Sequence, residues 1–384
     1  MKTKIAKNIF LPLFFGNCNT NLKKIKIPTT RMYALNRLFF FCFLIFTSIH
    51  LIAQPIADTV QIVAVGDIML GTIYPDGKHL PPNNNCSAQL SLVKPIFASG
   101  DIVFGNLEGV FTDSKTYAKK CKNPSICYTF GMPTSYVNCL KDAGFNLLSI
   151  ANNHVGDFGE HGRKTTVETL KKSGIRFAGL VDYCVSDTFT INGIKYGFCA
   201  FAPNSGTVDI RNIPVAEKIV KELAATCQIV IVSFHGGAEG AKYQHVTRKT
   251  ETYLGENRGN VYEFAHRMID AGADILLGHG PHVTRAIEIY KNRFIAYSMG
   301  NFCTYDRINI SGVNGLAPIL KIQTDKNGAF LQAEIVSTYQ EKFQSVRVDE
   351  QQRVLKIIQK LTKVDFPEMN NVITISDDGF IKLK

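Results

Sequence analysis

Short apolar runs recur along this chain, and several stop abruptly at a carboxylate, an amide or a histidine. QIVAV (61–65) runs into Gly66-Asp67, and DIVFG (101–105) runs into Asn106-Leu107-Glu108. NLLSIA (146–151) is followed by Asn152-Asn153-His154, with Asp157 close behind. QIVIVSF (228–234) ends at His235, with Glu239 four residues on. ADILLG (273–278) ends at His279, with His282 three residues on. Runs of this length, rich in Val and Ile, predict buried strands. Between them lie segments of helical spacing: Pro133 to Ala143 before Gly144, 162–173 before Gly174, Pro214 to Thr226, and 260–271 before Gly272. Glycine just past a helix end and proline near its start are the expected punctuation. Hairpins are predicted over 188–201, 287–298 and 316–338, turned at Asn192-Gly193, Lys291-Asn292 and Asn327-Gly328.

Strands alternating with helices predict an α/β fold, and the hairpins make its sheets mixed rather than purely parallel. In open α/β sheets, ligands bind outside the carboxyl ends of the strands. The five loops that carry the polar groups therefore converge on one site. After Phe302 the pattern changes to the third hairpin, a charged helix over 349–363 and a short tail, which reads as a C-terminal extension. The predicted organisation is an N-terminal segment (1–54), a main domain (58–310) and that extension (311–384). YPDGKHLPPNNN (74–85) reads as a surface loop, and no internal repeat is present.

Composition adds compartment. The chain has 384 residues, 45% hydrophobic and 20% charged, which supports a large core and excludes wholesale disorder. A net charge of +11 suggests nucleic acid or membranes at first sight, but residues 1–54 hold eight Lys or Arg and no Asp or Glu. The remainder, with 35 basic and 32 acidic residues, is nearly neutral and has no interleaved basic-aromatic stripe, which argues against a nucleic-acid partner. Arg31 and Arg37 precede LFFFCFLIFTSIHLIA (38–53), short for a membrane span and of suitable length for a signal h-region. Processing is expected between Ala53 and Ala57, with an uncleaved anchor as the alternative, and Met32 is well placed as the start of synthesis. The protein is therefore expected to be exported, to the periplasm, the envelope or the medium. Export permits disulfides. Cys86, Cys121 and Cys127 lie in polar loop-like stretches and are the disulfide candidates, while Cys199 and Cys227 read as buried thiols.

The strand-end groups suit a hard or borderline divalent metal. Oxygen ligands from Asp67, Glu108 and Asn153, with imidazoles from His235, His279 and His282, fit Mn, Zn, Fe or Mg, as one or two ions. His154 is placed to protonate a leaving group, and Asp157 to orient it. Asn106, Asn152 and Glu239 are further site candidates. Singly, each has a bland explanation as a turn, a cap or a satisfied core group; five at equivalent places in the topology do not. His79, His161, His245 and His266 are not at strand ends and read as surface or packing residues. Arg163, Lys164, Arg285 and Arg293 are available to an anionic ligand but read as solvated surface.

At these residues the chain resembles the CapA-type, poly-gamma-glutamate capsule biosynthesis family, itself similar to the calcineurin-like metallophosphoesterases. The matching pieces, in order, are VAVGDIMLG (63–71), FGNLEG (104–109), SIANNHVGDFG (149–159), VSFHGGAE (232–239), LLGHGPHV (276–283) and IAYSMGNF (295–302). The resemblance implies a two-sheet αββα sandwich with a metal site at one edge. It also implies Asp67 as a first metal aspartate, Glu108 as a bridging carboxylate, Asn153 and His154 as ligand and acid, and His235, His279 and His282 as ligands. The chain departs from the pattern at Met69 and Gly280 where histidine is common, at Glu108 where Asp is usual, in the two residues rather than one between His279 and His282, and at Gly237 where an aromatic residue is common. The function implied is an exported metal-dependent hydrolase or transferase, acting on a phosphoester or amide of an anionic cell-surface polymer or its precursor, beside membrane-bound capsule machinery. The alternative is a noncatalytic polymer-binding or assembly component that keeps the fold.

Overall fold

The computed structural model describes residues 59–121 and 128–384. Residues 55–384 form one compact unit. The first strands follow the apolar runs: β1 (Thr59–Met69), β2 (Ile102–Leu107), β3 (Leu147–Ser149) and β4 (Arg176–Ala178) lie side by side and parallel. Helices α1 (Val137–Ala143) and α2 (Gly159–Ser173) fall between them, each closed by a left-handed glycine, Gly144 and Gly174.

The second sheet is built from β5 (Ser186–Ile191), β6 (Ile194–Phe201), β7 (Ile229–His235), β8 (Ile275–His279), β9 (Ile287–Tyr290) and β10 (Arg293–Ala296). Its order is β9-β10-β8-β7-β6-β5, parallel in the middle and antiparallel at both edges. Helices α3 (Ile213–Ala224) and α4 (Val261–Asp270) supply the crossovers, capped by Asn212 and Asn260. The chain then returns to the first sheet with β11 (Asn301–Thr304), β12 (Leu316–Asp325), β13 (Phe330–Tyr339), β14 (Ile373–Ile375) and β15 (Phe380–Leu383). Helix α5 (Arg353–Asp365) precedes β14. The order of that sheet is β14-β15-β13-β12-β1-β2-β3-β4, with β11 also on β1. The hairpin after residue 310 thus continues the main sheet, β12 pairing along β1 from Thr59 to Val65.

Strand periodicity of two explains the layers. Ile62 and Ala64 of β1 point into a core shared with Phe198, Phe234 and Ile275 of the other sheet. Val63 and Val65 point the other way, against Leu140 of α1 and Leu170 of α2. Phe104 meets Phe198 across the sheets with ring centroids 5.9 Å apart. The result is the mixed two-sheet α/β sandwich, helices outside.

Three local expectations are corrected. β1 does not stop at Gly66 but continues to Met69, because its far end is held on both sides, by β2 and by β11. Gly66 permits this: a Cβ there would lie 2.0 Å from the carbonyl oxygen of Gly300. Cys86 pairs with Cys139 on α1, across 53 residues, rather than with another loop cysteine, while Cys199 is a buried free thiol as expected and Cys227 a free thiol that is only half-buried. Helix packing, which brings the short helix Ser87–Leu90 against α1, decides that pairing. Cys121 is also disulfide-bonded. Arg285 is no surface residue. It is fully buried and grips Glu251 through both terminal nitrogens at 2.8 Å.

Among the described residues no helix is long and apolar enough to cross a membrane. The expected signal or anchor (38–53) lies outside those residues.

Asp274, just before β8, carries a pH prediction. Its carboxylate accepts the backbone N–H of Val230 at 2.7 Å and faces Arg293 Nε at 2.8 Å. Burial pushes its pKa up to about 6 against the opposing pull of those two groups. The folded pKa exceeds the unfolded value of about 3.9, so the native state binds more protons. The stability this group contributes is complete below about pH 4 and declines as pH rises through about 6. Asp274→Asn is expected to flatten that decline, measured by urea unfolding between pH 4 and 7. A difference between wild type and variant that stays constant across this range contradicts the assignment.

Candidate metal centre

The parallel strands deliver the polar groups to one edge of the sandwich. Asp67 lies opposite Asn106 on β2 and Asn301 on β11, and His279 lies opposite His235. Glu108 follows the end of β2, and the turn after β3 brings Asn152, Asn153, His154 and Asp157. His282 reaches the same edge through a tight turn, in left-handed backbone at φ 56°. Non-glycine residues held there are uncommon and concentrate at functional sites.

Within this edge the side chains form one network. Asn106 Nδ2 donates to Asp67 Oδ1 at 2.8 Å and to Glu108 Oε2 at 2.6 Å. Asn152 Nδ2 donates in turn to Asn106 Oδ1 at 3.2 Å and to the Leu107 carbonyl at 2.8 Å. His279 Nδ1 and His282 Nδ1 donate to the two oxygens of Asp67 at 3.0 and 2.9 Å. One ligand atom from each of Glu108, His235 and His282 lies within 4.8 Å of the others.

The electrostatics follow from burial and partners. Burial alone would raise the Asp67 carboxyl, yet the hydrogen bonds from His279 and His282 hold it well below the usual carboxylate range. Glu108 is likewise lowered: burial opposes ionisation, but the charge of His235 outweighs it together with the other histidine contacts. Burial would depress His282, but its bond to Asp67 lifts it to about 10. Metal ligation needs a neutral imidazole, so a metal competes with that proton.

A divalent cation fits the atoms present. Glu108 Oε1, both ring nitrogens of His235, His279 Nε2 and Asn153 Oδ1 are buried with no hydrogen-bond partner. An unsatisfied buried polar atom costs about 1–3 kcal/mol. Several of them gathered at one edge, all from oxygen and imidazole groups, match the donors that hold Zn, Mn or Fe(II).

Beside the cluster, His154 Nδ1 meets Asp157 Oδ2 at 2.7 Å, and His154 Nε2 lies 3.8 Å from Glu108 Oε1. Asp157 accepts from Nδ1–H and so leaves Nε2 facing the site. Asp157 is itself fixed by Lys119 Nζ at 2.5 Å and the Phe130 N–H at 2.7 Å. The Phe130 ring lies 4.2 Å from the imidazole. Over these residues opens a cavity of about 590 Å³, lined by Asn153, His154 and His282 among others.

The sequence-derived candidates Asp67, Asn106, Glu108, Asn152, Asn153, His154, Asp157, His235, His279 and His282 are all brought to this edge. Glu239 is not in the cluster; it pairs with Arg258 at 3.0 Å on the cavity wall. His79, His245 and His266 are elsewhere, paired with Asp306, Asp365 and Glu288, and His161 stacks on Tyr117. Met69 is fully buried in β1. At Gly280, φ is 111° and a Cβ would lie 2.7 Å from the backbone of Gly236, so this backbone has no room for a histidine there.

Sequence reasoning passed over Lys119, Phe130 and Asn301. Asn301 Nδ2 donates to the His282 carbonyl at 3.1 Å while its Oδ1 is buried and unpartnered. It too ends an apolar run, IAYSMG, and was findable by the same rule. Lys119, 38 residues from Asp157, carries no local signal.

The family described as "Bacterial capsule synthesis protein PGA_cap" matches residues 61–306. The "PGA biosynthesis protein CapA" of Bacillus subtilis is 30% identical over 261 residues, 64% of this chain and 63% of that protein. The "Capsule biosynthesis protein CapA" of Bacillus anthracis is 27% identical over 270 residues, 64% of this chain and 60% of that protein. The chain therefore spans under two thirds of the length of these curated relatives. The crystal structure of a hypothetical protein from Thermus thermophilus superposes with a TM-score of 0.44 at 15% identity, covering 73% of this chain and 100% of the other. Because the family match takes in more than half of the sequence, with every strand-end group from Asp67 to Asn301 inside it, the chain belongs to the bacterial capsule synthesis protein PGA_cap family.

Proposed function

We propose that this protein is an exported metal-dependent hydrolase or transferase that acts on a phosphoester or amide of an anionic cell-surface polymer or its precursor. The observation that carries this reading is the meeting of two things at one cavity: buried, unpartnered metal-ligand atoms, and a histidine whose second nitrogen is held by a carboxylate. A purely structural metal site has no use for the second. Glu108, His235 and His282 hold the cation, with His279, Asn153 and Asp67 as further ligands or supports. When bound, a divalent cation supplies Lewis acidity toward a phosphoryl or carbonyl oxygen.

The chain's own groups do the rest. His154, as the imidazolium, delivers the Nε2 proton to the leaving oxygen or nitrogen as that atom's bond to phosphorus or carbon breaks and the bond from the attacking water or acceptor forms, and is left as the Nδ1–H imidazole. Asp157 holds the Nδ1–H in place, and Lys119 and the Phe130 N–H orient Asp157. The names of the relatives associate the family with capsule and PGA biosynthesis, which supports a polymer-linked substrate and membrane-bound capsule machinery as partner. The apolar run 38–53 supports export.

A second reading, a noncatalytic polymer-binding component, is favoured by two observations. Met69 and Gly280 thin the polar groups at the site, and Asp67 has both oxygens occupied by histidines. The experiment that separates the two is joint measurement of bound metal and of hydrolysis of a phosphodiester, a phosphomonoester and poly-gamma-glutamate, with Mn, Zn or Mg added. Metal-dependent turnover is expected on at least one. Bound metal with no turnover favours the binding component, and no bound metal under any condition overturns the metal-dependent enzyme.

A further inference from the structure

Three cationic side chains other than histidine line the cavity: Lys119, Arg258 and Arg307. Two are already neutralised. Lys119 is held by Asp157, and Arg258 by Glu239 at 3.0 Å and Glu256 at 3.1 Å. Arg307 has no carboxylate partner among the described residues, and its Nε is buried without a hydrogen bond. This is unusual for the molecule. Every other described arginine except the exposed Arg347 has a carboxylate within ion-pair distance.

The backbone presents Arg307 deliberately. It sits in left-handed conformation at φ 71°, and a non-glycine residue is held there only when its surroundings over-determine it. Asp306 pairs with His79 at 2.7 Å and Lys342 at 3.4 Å, and it makes no ion pair with the Arg307 guanidinium. The guanidinium lies 5.9 Å from the Tyr128 ring centroid, a contact that does not neutralise its charge. A guanidinium with free donors is suited to two-point binding of a carboxylate or phosphate.

We propose that Arg307 recognises an oxyanion of the ligand, a carboxylate or phosphate separate from the group that reacts at the metal cluster. The cavity, at about 590 Å³, has room for both groups of one extended anionic chain. This deepens the function proposed above and rests on that reading for the word substrate, though not for binding. The family match ends at residue 306, so membership does not assign this role.

The test is calorimetric titration of the purified full chain with three probes: a γ-linked glutamate pentamer, its neutral amide counterpart, and inorganic phosphate. Wild type, Arg307→Gln and Arg307→Lys are compared, each with and without added Mn, and metal content is measured in parallel. Arg307→Gln is expected to weaken at least one anionic probe tenfold or more, with Mn present or absent and metal content unchanged. Arg307→Lys is expected to recover part of the loss, and the neutral probe to be indifferent to both changes. Which anion responds distinguishes a carboxylate from a phosphate ligand. Equal anion affinity in wild type and Arg307→Gln, or no anion binding by wild type, overturns the proposal. If wild type binds no metal yet its anion binding depends on Arg307, the metalloenzyme reading fails and this one stands.

Discussion

Replacing His235 with alanine is expected to abolish tight binding of the divalent metal, weakening it by more than about 100-fold. Losing a supporting partner of a ligand already costs about 10–100-fold, and His235 is proposed as a ligand itself. The side chain is 1% exposed, both ring nitrogens lack partners, and Nε2 lies 3.6 Å from Glu108 Oε1. Glu108→Gln is expected to act in the same direction with less change of shape, since it removes the charge and keeps the volume. Metal retained after dialysis, read by elemental analysis, and Mn titration by calorimetry check both. Thermal unfolding guards against a trivial cause, because variants that fold and lose metal differ from variants that do not fold. Undiminished metal in folded His235→Ala would remove the basis of the cluster assignment.

His154→Ala should leave metal content as it is and lower turnover by about 10²–10⁴-fold, the usual contribution of a positioned general acid. The loss should depend on the leaving group. A nitrophenolate leaves readily without a proton, so its hydrolysis should suffer least, whereas an alkoxide or amine leaving group should suffer most. Asp157→Asn is expected to show the same dependence with a smaller loss, since Nε2 chemistry survives but the tautomer is no longer enforced. Steady-state rates on paired phosphodiesters with poor and good leaving groups measure this. An equal loss for both leaving groups would assign His154 to metal binding or packing, not proton transfer.

Much of the architecture and the candidate site was legible from the residues alone, for a local reason. A buried strand is a run of apolar positions, and where it ends the side chains change type within one or two residues. His235 and His279 were visible because each follows such a run directly. Asn301 follows an apolar run in the same way, but that run also reads as half of a hairpin, which hides its end. The extent of β1 was not legible: Gly66-Asp67 reads as a turn until β2 and β11 are known to hold it on both sides.

Residue type also failed to tell charged groups apart. Arg285 and Arg307 look alike in the sequence, yet one is fully buried against Glu251 and the other lines a cavity and has no carboxylate partner among the described residues. What separates them is the position of distant carboxylates, which no local pattern encodes. The same holds for Cys86, whose partner Cys139 was chosen by how two helices pack.

By itself, the sequence determined which residues stand at the carboxyl ends of parallel strands, because alternation and run length act over a few neighbouring positions. Only the tertiary structure decided what each of them touches. Asp67 meets His279 across 212 residues of chain, and Lys119 meets Asp157 across 38. Contacts of that separation are set by sheet order and register, and a charge, a proton or a metal responds to the atoms within a few ångströms rather than to its neighbours in the chain.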